Sequence, residues 1–114
     1  MSHPDLSLLG LTTVYGNANI DTTTNNALLV LDKLGCAEIP VAKGRGEPLV
    51  QERMPPPDFV HGSDGLGNLN LAKASTKTVS ESAAEFIIRQ ANEHPGEISL
   101  VAVGPLTNLS LIHI

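Results

Sequence analysis

The residues best suited to chemistry lie in the stretch FVHGSDGLGNL, residues 59–69. It places one histidine, His61, among three glycines, a serine and an aspartate. Imidazole changes its protonation state near neutral pH, so it suits proton transfer to a leaving group. Glycines let a loop change its backbone conformation at little steric cost. The pattern indicates a functional loop, although a histidine in such a loop is more often a solvated residue than a catalytic one.

Two further polar segments follow predicted strands. Residues 6–14 (LSLLGLTTV) and 97–104 (EISLVAVG) are apolar runs without strict alternation, which is typical of strands buried on both faces of a parallel sheet. The first strand ends in VYGN (14–17) and the second in VGPLTN (103–108). Ligands of parallel α/β sheets bind outside the carboxyl ends of the strands. We therefore expect these two segments to border a common site.

Two amphipathic helices must lie between these strands. Apolar residues recur at helical spacing over residues 21–34 and again over 79–93. Asp21 is expected to cap the first helix, because an aspartate at the start of a helix is much more often a cap than a catalytic residue. Thr78 and Glu81 have the spacing of a capping box at the start of the second helix.

The remaining segments complete an alternating order of strands and helices. Gly35 is expected to end the first helix, and a short extended piece, IPVA (39–42), follows it. Residues 43–77 show little periodicity, and connections of that length are usually functional or disordered. Pro105 stands where a further helix can begin. This order predicts an α/β fold with a Rossmann-like, mostly parallel sheet and flanking helices.

Composition narrows the function classes. The chain has 114 residues, a net charge of −5 and only 3% aromatic residues, which argues against nucleic acid as a partner. Its single cysteine, Cys36, excludes an internal disulfide and suits a reducing compartment. The first residues lack a basic signal-peptide region, and no apolar run approaches the about 18 residues of a membrane span. We expect a cytoplasmic protein without a membrane partner.

Four segments carry a resemblance to a known family. They are LLGLTTVYGNANIDTTTNNAL (8–28), IPVAKG (39–44), VHGSDGLGNL (60–69) and EISLVAVGPLTNL (97–109). In this order and at these spacings they resemble the inosine-uridine preferring nucleoside hydrolase family. The resemblance implies hydrolysis of the N-glycosidic bond of purine or pyrimidine ribonucleosides to ribose and free base. It also implies calcium as the cofactor, a hard cation that takes oxygen ligands.

The same resemblance implies roles for three residues. His61 matches the catalytic histidine beside the nucleobase, and Asn17 matches an asparagine that binds substrate near the ribose. Val103 matches the position whose backbone carbonyl is a metal ligand. Read without the resemblance, Asn17 is equally well a turn residue. The chain also departs from the family, which often has an acid directly after His-Gly, whereas here Ser63 follows and Asp64 comes one place later.

The acidic DxDxxxDD motif of the family is absent from this sequence. In the family this motif supplies the general base and most calcium ligands, so we expect a partial nucleoside hydrolase domain over residues 1–109 that is inactive and unlikely to bind calcium. Residues 110–114 are expected to be a non-native tail encoded by a sequencing adapter. The full-length parent is expected to form a homo-oligomer, a dimer or tetramer. The alternative is a small, non-catalytic α/β module for ligand binding or interaction.

Overall fold

A parallel pair of short strands forms the centre of the fold. The computed structural model describes residues 4–50, 62–67, 74 and 76–112. In chain order the elements are β1 (Leu11–Thr12), α1 (Ile20–Lys33), β2 (Val41–Ala42), α2 (Ala83–Glu93) and α3 (Thr107–Ser110). Leu11 pairs with Val41 and Thr12 pairs with Ala42, both in the parallel direction. The predicted α/β class with a parallel sheet is therefore confirmed.

Helix α1 is capped by Asn19 and not, as predicted, by Asp21. The Asn19 backbone is extended, and its side-chain oxygen accepts a hydrogen bond from the Thr22 amide at 2.9 Å. Asp21 lies one residue inside the helix, where a carboxylate still favours the positive end of the helix dipole, and it pairs with Lys43. Gly35 follows the C-cap with a φ of 70°, so the predicted stop is confirmed.

The capping box of helix α2 also differs from the prediction. Ser82 Oγ accepts from the Glu85 amide at 3.2 Å, and Glu85 Oε1 accepts from the Ser82 amide at 3.4 Å. The sequence offers the same Ser/Thr-x-x-Glu spacing twice in succession, and the helix begins at the second match. Glu81, from the first match, instead accepts from Arg89 Nε at 2.7 Å. That hydrogen bond lowers the pKa of the Glu81 carboxyl below its ordinary value.

The strand predicted over residues 97–104 is wrong as a buried strand. The structure assigns no strand to residues 98–103, and the Val101 and Val103 side chains are 80% and 95% exposed. The run before β1 is also exposed, with Leu6 at 71%. A continuous apolar pattern predicts burial only where strands or helices cover both faces. Among the described residues, only β1 and β2 pair with each other.

The core lies between the strand pair and helix α1. Leu28, Leu31 and Val41 are its buried centre, and partly buried apolar residues surround them: Leu11, Ala27, Cys36, Ile39 and Ala74. Helix α2 adds Phe86, whose ring lies so close to Gly10 that a Cβ there would sit 2.5 Å from Cζ. In the described part of the chain, no helix is long and apolar enough to cross a membrane.

Candidate functional site

The two segments expected to share a site border one cleft of about 580 Å³. We call it the strand-end cleft. Its lining comprises residues 12–17 on one wall and 100–106 on the other, with Thr23, Ile87, Asn108 and Leu109. None of these residues is charged. The cleft can therefore recognise a ligand through backbone groups, hydroxyls, amides and apolar contact.

Asn17 and Val103, two of the three site residues expected from sequence, both line the strand-end cleft. Asn17 lies in an exposed bend, where the Gly16 amide donates to the Ala18 carbonyl at 3.0 Å. The Val103 side chain is apolar and exposed, so a polar contact between this residue and a ligand would come from its backbone. Their proximity to one cleft agrees with the sequence analysis, while their binding roles stay predictions.

His61, the third expected residue, lies outside the described residues, which resume at Gly62. Residues 62–67 form a compact turn in which the Gly65 amide donates to the Gly62 carbonyl at 3.2 Å. Asp64 Oδ1 accepts from the Leu66 amide at 2.9 Å. The aspartate that stands one place later than in the family pattern thus stabilises its own turn.

The turn of residues 62–67 packs beside the bend that carries Asn17. Asn26 of helix α1 donates from Nδ2 to the Asp64 carbonyl at 2.8 Å. Gly65 has a φ of 71°, and a Cβ added to it would lie 3.5 Å from Ala18 Cβ. Because Ala18 follows Asn17 directly, residues 62–67 lie beside the bend that follows β1.

Asn108 is a site residue that sequence reasoning missed. Its buried amide donates from Nδ2 to the Thr13 carbonyl at 2.9 Å, and its Oδ1 accepts from the Arg45 amide at 2.9 Å. One side chain therefore connects the end of β1, the loop after β2 and helix α3. The GPLTN motif was visible in the sequence, but only as the start of a helix. An amide side chain, which both donates and accepts, shortly after a predicted strand was the available signal.

Two hydroxyl contacts support the same wall. Tyr15 Oη and Thr107 Oγ1 are 3.0 Å apart, and Thr13 Oγ1 and Thr24 Oγ1 are 2.8 Å apart. Tyr15 and Thr107 are separated by 92 positions in the chain, so no local pattern predicts their contact. Together these bonds fix the end of β1 against helices α1 and α3.

The described residues do not by themselves fit a calcium ion. Calcium takes six to eight oxygen ligands. The lining of the cleft contains no carboxylate, and the described ranges contain no group of three or more His, Cys, Asp or Glu residues that could hold a metal. These residues alone therefore do not form a calcium site.

The fold is that of the nucleoside hydrolases. The chain resembles the plant nucleoside hydrolase PpNRh1, with a TM-score of 0.87 and 44% identity over 96% of this chain and 35% of that one. It also resembles the purine-preferring ribonucleoside hydrolase from Gardnerella vaginalis, with a TM-score of 0.90 and 30% identity over 96% and 36% of the two chains. Both likenesses extend over almost all of the present chain.

Sequence comparison assigns the family. The model of the inosine-uridine preferring nucleoside hydrolases matches residues 1–113, and the chain belongs to this family. It is 48% identical to probable uridine nucleosidase 1 of Oryza sativa subsp. japonica over 95% of this chain and 33% of that protein. It is 39% identical to the pyrimidine-specific ribonucleoside hydrolase RihA of Shewanella baltica over 98% and 35%. The chain thus spans about a third of the length of these relatives.

Proposed function

We propose that this chain is part of an enzyme that hydrolyses the N-glycosidic bond of ribonucleosides to ribose and free base. The observation that carries the proposal is the position of Asn17 and Val103 on one cleft, at the ends of two segments that match this family. The relatives named uridine nucleosidase and ribonucleoside hydrolase support the same substrate class. A ribonucleoside is accordingly the proposed small-molecule partner.

Each proposed role follows from the chemistry of the group. The Asn17 amide can both donate to and accept from ribose hydroxyls. His61 would protonate the leaving base, a step that imidazole performs well near neutral pH. The packing of residues 62–67 beside Ala18 supports this role, because it holds the chain next to His61 near Asn17.

Members of this family use a metal ion. We propose that the ion is calcium and that the Val103 carbonyl is one of its ligands in the whole enzyme. When bound, such an ion orients a sugar and a water molecule and favours ionisation of that water. The cleft lining contains no carboxylate, and the part of the chain that the structure describes has no cluster of metal-binding side chains, so we propose that the 114-residue chain alone does not retain the ion and is inactive.

The lack of a carboxylate cluster among the described residues favours one alternative, a non-catalytic α/β module that binds ligands or partners through the same cleft. The two functions differ in whether a nucleoside is consumed. Further proposals concern the whole protein: a cytoplasmic location and a homo-oligomeric state, dimer or tetramer. The division into a hydrolase part, residues 1–109, and a non-native tail, residues 110–114, is a proposal that the genomic sequence around this chain can test.

The direct test is base release by the complete open reading frame that contains this chain. We expect uracil from uridine or hypoxanthine from inosine, and we expect Asn17→Ala to lower kcat/KM by roughly 100-fold, the scale of losing one positioned polar group. Asn92→Ala, an exposed change on helix α2, is the matched control. The proposal would be contradicted if neither nucleoside released its base, or if the two variants had equal activity. Turnover by the 114-residue chain alone would contradict its proposed inactivity.

A further inference from the structure

A tyrosine in the first wall of the strand-end cleft is hydrogen-bonded to two other parts of the fold. The Tyr15 amide donates to the Arg45 carbonyl at 3.0 Å, which holds its backbone beside the loop after β2. The side chain contacts helix α3, where Tyr15 Oη lies 3.0 Å from Thr107 Oγ1. Tyr15 lines the cleft, and Thr107 is buried. The hydroxyl pair therefore connects the first wall with the helix that follows the second wall.

Tyr15 also has a short connection to Asn17. Only Gly16 separates the two residues. The bend that follows is tight, since the Gly16 amide donates to the Ala18 carbonyl at 3.0 Å, and Ala18 is buried on its far side. A short, hydrogen-bonded bend transmits a displacement of one end to the other. A shift of the Tyr15 backbone would therefore also shift Asn17.

Thr107 has a similarly short connection to the second wall. Residues 104–106 are all that separate it from Val103. Pro105, in the middle of this connection, has a fixed φ, which limits how far the connection can bend. A Cβ added to Gly16 would lie 3.7 Å from Pro105 Cδ, so the connection also approaches the bend of the first wall. The hydroxyl pair thus joins the two walls where they come close to each other.

The Asn108 bonds act farther from Asn17 along the chain. Asn108 Nδ2 donates to the Thr13 carbonyl, and the Thr13 amide donates to the Ala42 carbonyl at 3.0 Å. Thr13 is therefore fixed within the hydrogen-bonded part of β1, before the bend begins. Tyr15 lies between that fixed point and Asn17.

We propose that Tyr15 is a positioning residue, whose hydrogen bond to Thr107 holds Asn17 at the distance from the second wall that a bound ribose requires. Tyr15 acts through Asn17 and not on the reacting atoms themselves. The inference rests on the proposed function, because that function gives Asn17 its ribose-binding role. Misplacing a positioning group by about 1 Å can slow an enzyme by about 100-fold, so a small shift of the bend is measurable.

Double-mutant kinetics of the complete enzyme test this role. We expect Tyr15→Phe, which keeps the ring and loses the hydroxyl, to lower kcat/KM by about tenfold. In the Asn17→Ala background the same change should cost less than about twofold, because the group that Tyr15 positions is already lost. A tyrosine with a merely structural role would cost the same in both backgrounds.

Three further variants show whether the hydroxyl pair is responsible. Thr107→Val removes the partner hydroxyl and should match Tyr15→Phe. Thr107→Ser keeps a hydroxyl and should stay within about twofold of the unaltered enzyme. Thr76→Val is the matched control, because Thr76 Oγ1 donates to Asp32 Oδ1 at 2.6 Å outside the cleft lining, and it should leave kcat/KM unchanged.

Nuclear Overhauser contacts in the labelled 114-residue chain test the same connection without catalysis. A Cβ on Gly104 would lie 3.3 Å from Val14 Cγ1, so these two residues report on the approach of the two walls. We expect Tyr15→Phe and Thr107→Val to weaken the cross-peaks between the Val14 methyls and the Gly104 α-protons by about twofold or more, because the walls lose a hydrogen bond. Thr107→Ser and Thr76→Val should retain them.

Two results would overturn the proposal. The first is a Tyr15→Phe enzyme that keeps its full kcat/KM, or that loses as much with Asn17→Ala as without it. The second is unchanged cross-peaks in both Tyr15→Phe and Thr107→Val. If the unaltered enzyme releases no base from uridine or inosine, the proposed function fails instead, and the cross-peak comparison alone decides whether Tyr15 holds the walls together.

Discussion

At the scale of single residues, Asn108 holds the strand-end cleft in shape. Both polar atoms of its amide are used, one toward β1 and one toward the loop after β2, in a position with little exposure to water. A side chain that cannot donate here leaves the buried Thr13 carbonyl without this partner. Such a group costs more free energy than the bond itself contributes.

Asn108→Asp isolates the donated bond. The variant keeps an acceptor for the Arg45 amide but places a carboxylate oxygen against the Thr13 carbonyl, so we expect the free energy of unfolding to fall by about 1–3 kcal/mol. Urea titration followed by circular dichroism measures the change. Asn92→Asp on the exposed side of helix α2 is the control and should have little effect. Equal shifts of the two midpoints would show that the Asn108 hydrogen bonds contribute no more to the free energy of unfolding than an exposed asparagine does.

Gly44 permits the same bridge through its lack of a side chain. A Cβ at this position would overlap the Thr13 carbonyl and lie 2.5 Å from Asn108 Oδ1. We expect Gly44→Ala to lower the free energy of unfolding by about 1–3 kcal/mol, the usual cost of overpacking. Gly16→Ala is the matched control, because its nearest neighbour would be 3.7 Å away. The packing argument fails if both variants unfold at the same urea concentration.

At the scale of elements, the start of helix α2 depends on Ser82. We expect Ser82→Ala to lower the free energy of unfolding by about 1 kcal/mol, because the Glu85 amide loses its acceptor. Thr78→Ala removes the hydroxyl of the other sequence match and should cost much less. Thermal or urea unfolding of the two variants gives the comparison. A larger loss for Thr78→Ala would place the helix start where the sequence pattern first suggested.

The helices were the most predictable elements. The apolar stripes of α1 and α2 indicate which face each helix buries. The approximate extents of the two helices could therefore be predicted from periodicity. Their caps did not follow, because Asn19 and Asp21 are both good capping residues and Ser82 repeats the pattern of Thr78. Which candidate caps the helix depends on where the backbone changes from loop to helical conformation, and a local sequence pattern does not determine that position.

Strands and site residues were predictable to different degrees. The apolar run at 97–104 correctly marked a segment beside the cleft, but its burial depends on neighbours that local sequence cannot specify. Asn17 and Val103 were predicted from four matching segments and lie on one cleft, and their binding roles stay predictions. Asn108 was missed because its partner Thr13 is 95 positions away, so only the tertiary fold brings them together.

At the scale of the whole molecule, exposed apolar surface limits stability. Val101 and Val103 in the second wall of the strand-end cleft are 80% and 95% exposed, and Leu6 before β1 is 71% exposed. We expect the isolated chain to be marginally stable, with no cooperative melting transition above body temperature in far-ultraviolet circular dichroism. A sharp transition above that temperature would mean that the exposed walls of the cleft do not weaken the fold.

The central structural claim is that the carboxyl ends of β1 and of the 98–103 segment meet at one cleft. Nuclear Overhauser contacts in the labelled chain, measured near the temperature of maximum stability at about 15 °C, test it most directly. The close approach of Gly104 to Val14 predicts cross-peaks between the Val14 methyls and the Gly104 α-protons. A folded chain that lacks these cross-peaks, or that shows residues 98–103 paired with β2 instead, would contradict the account.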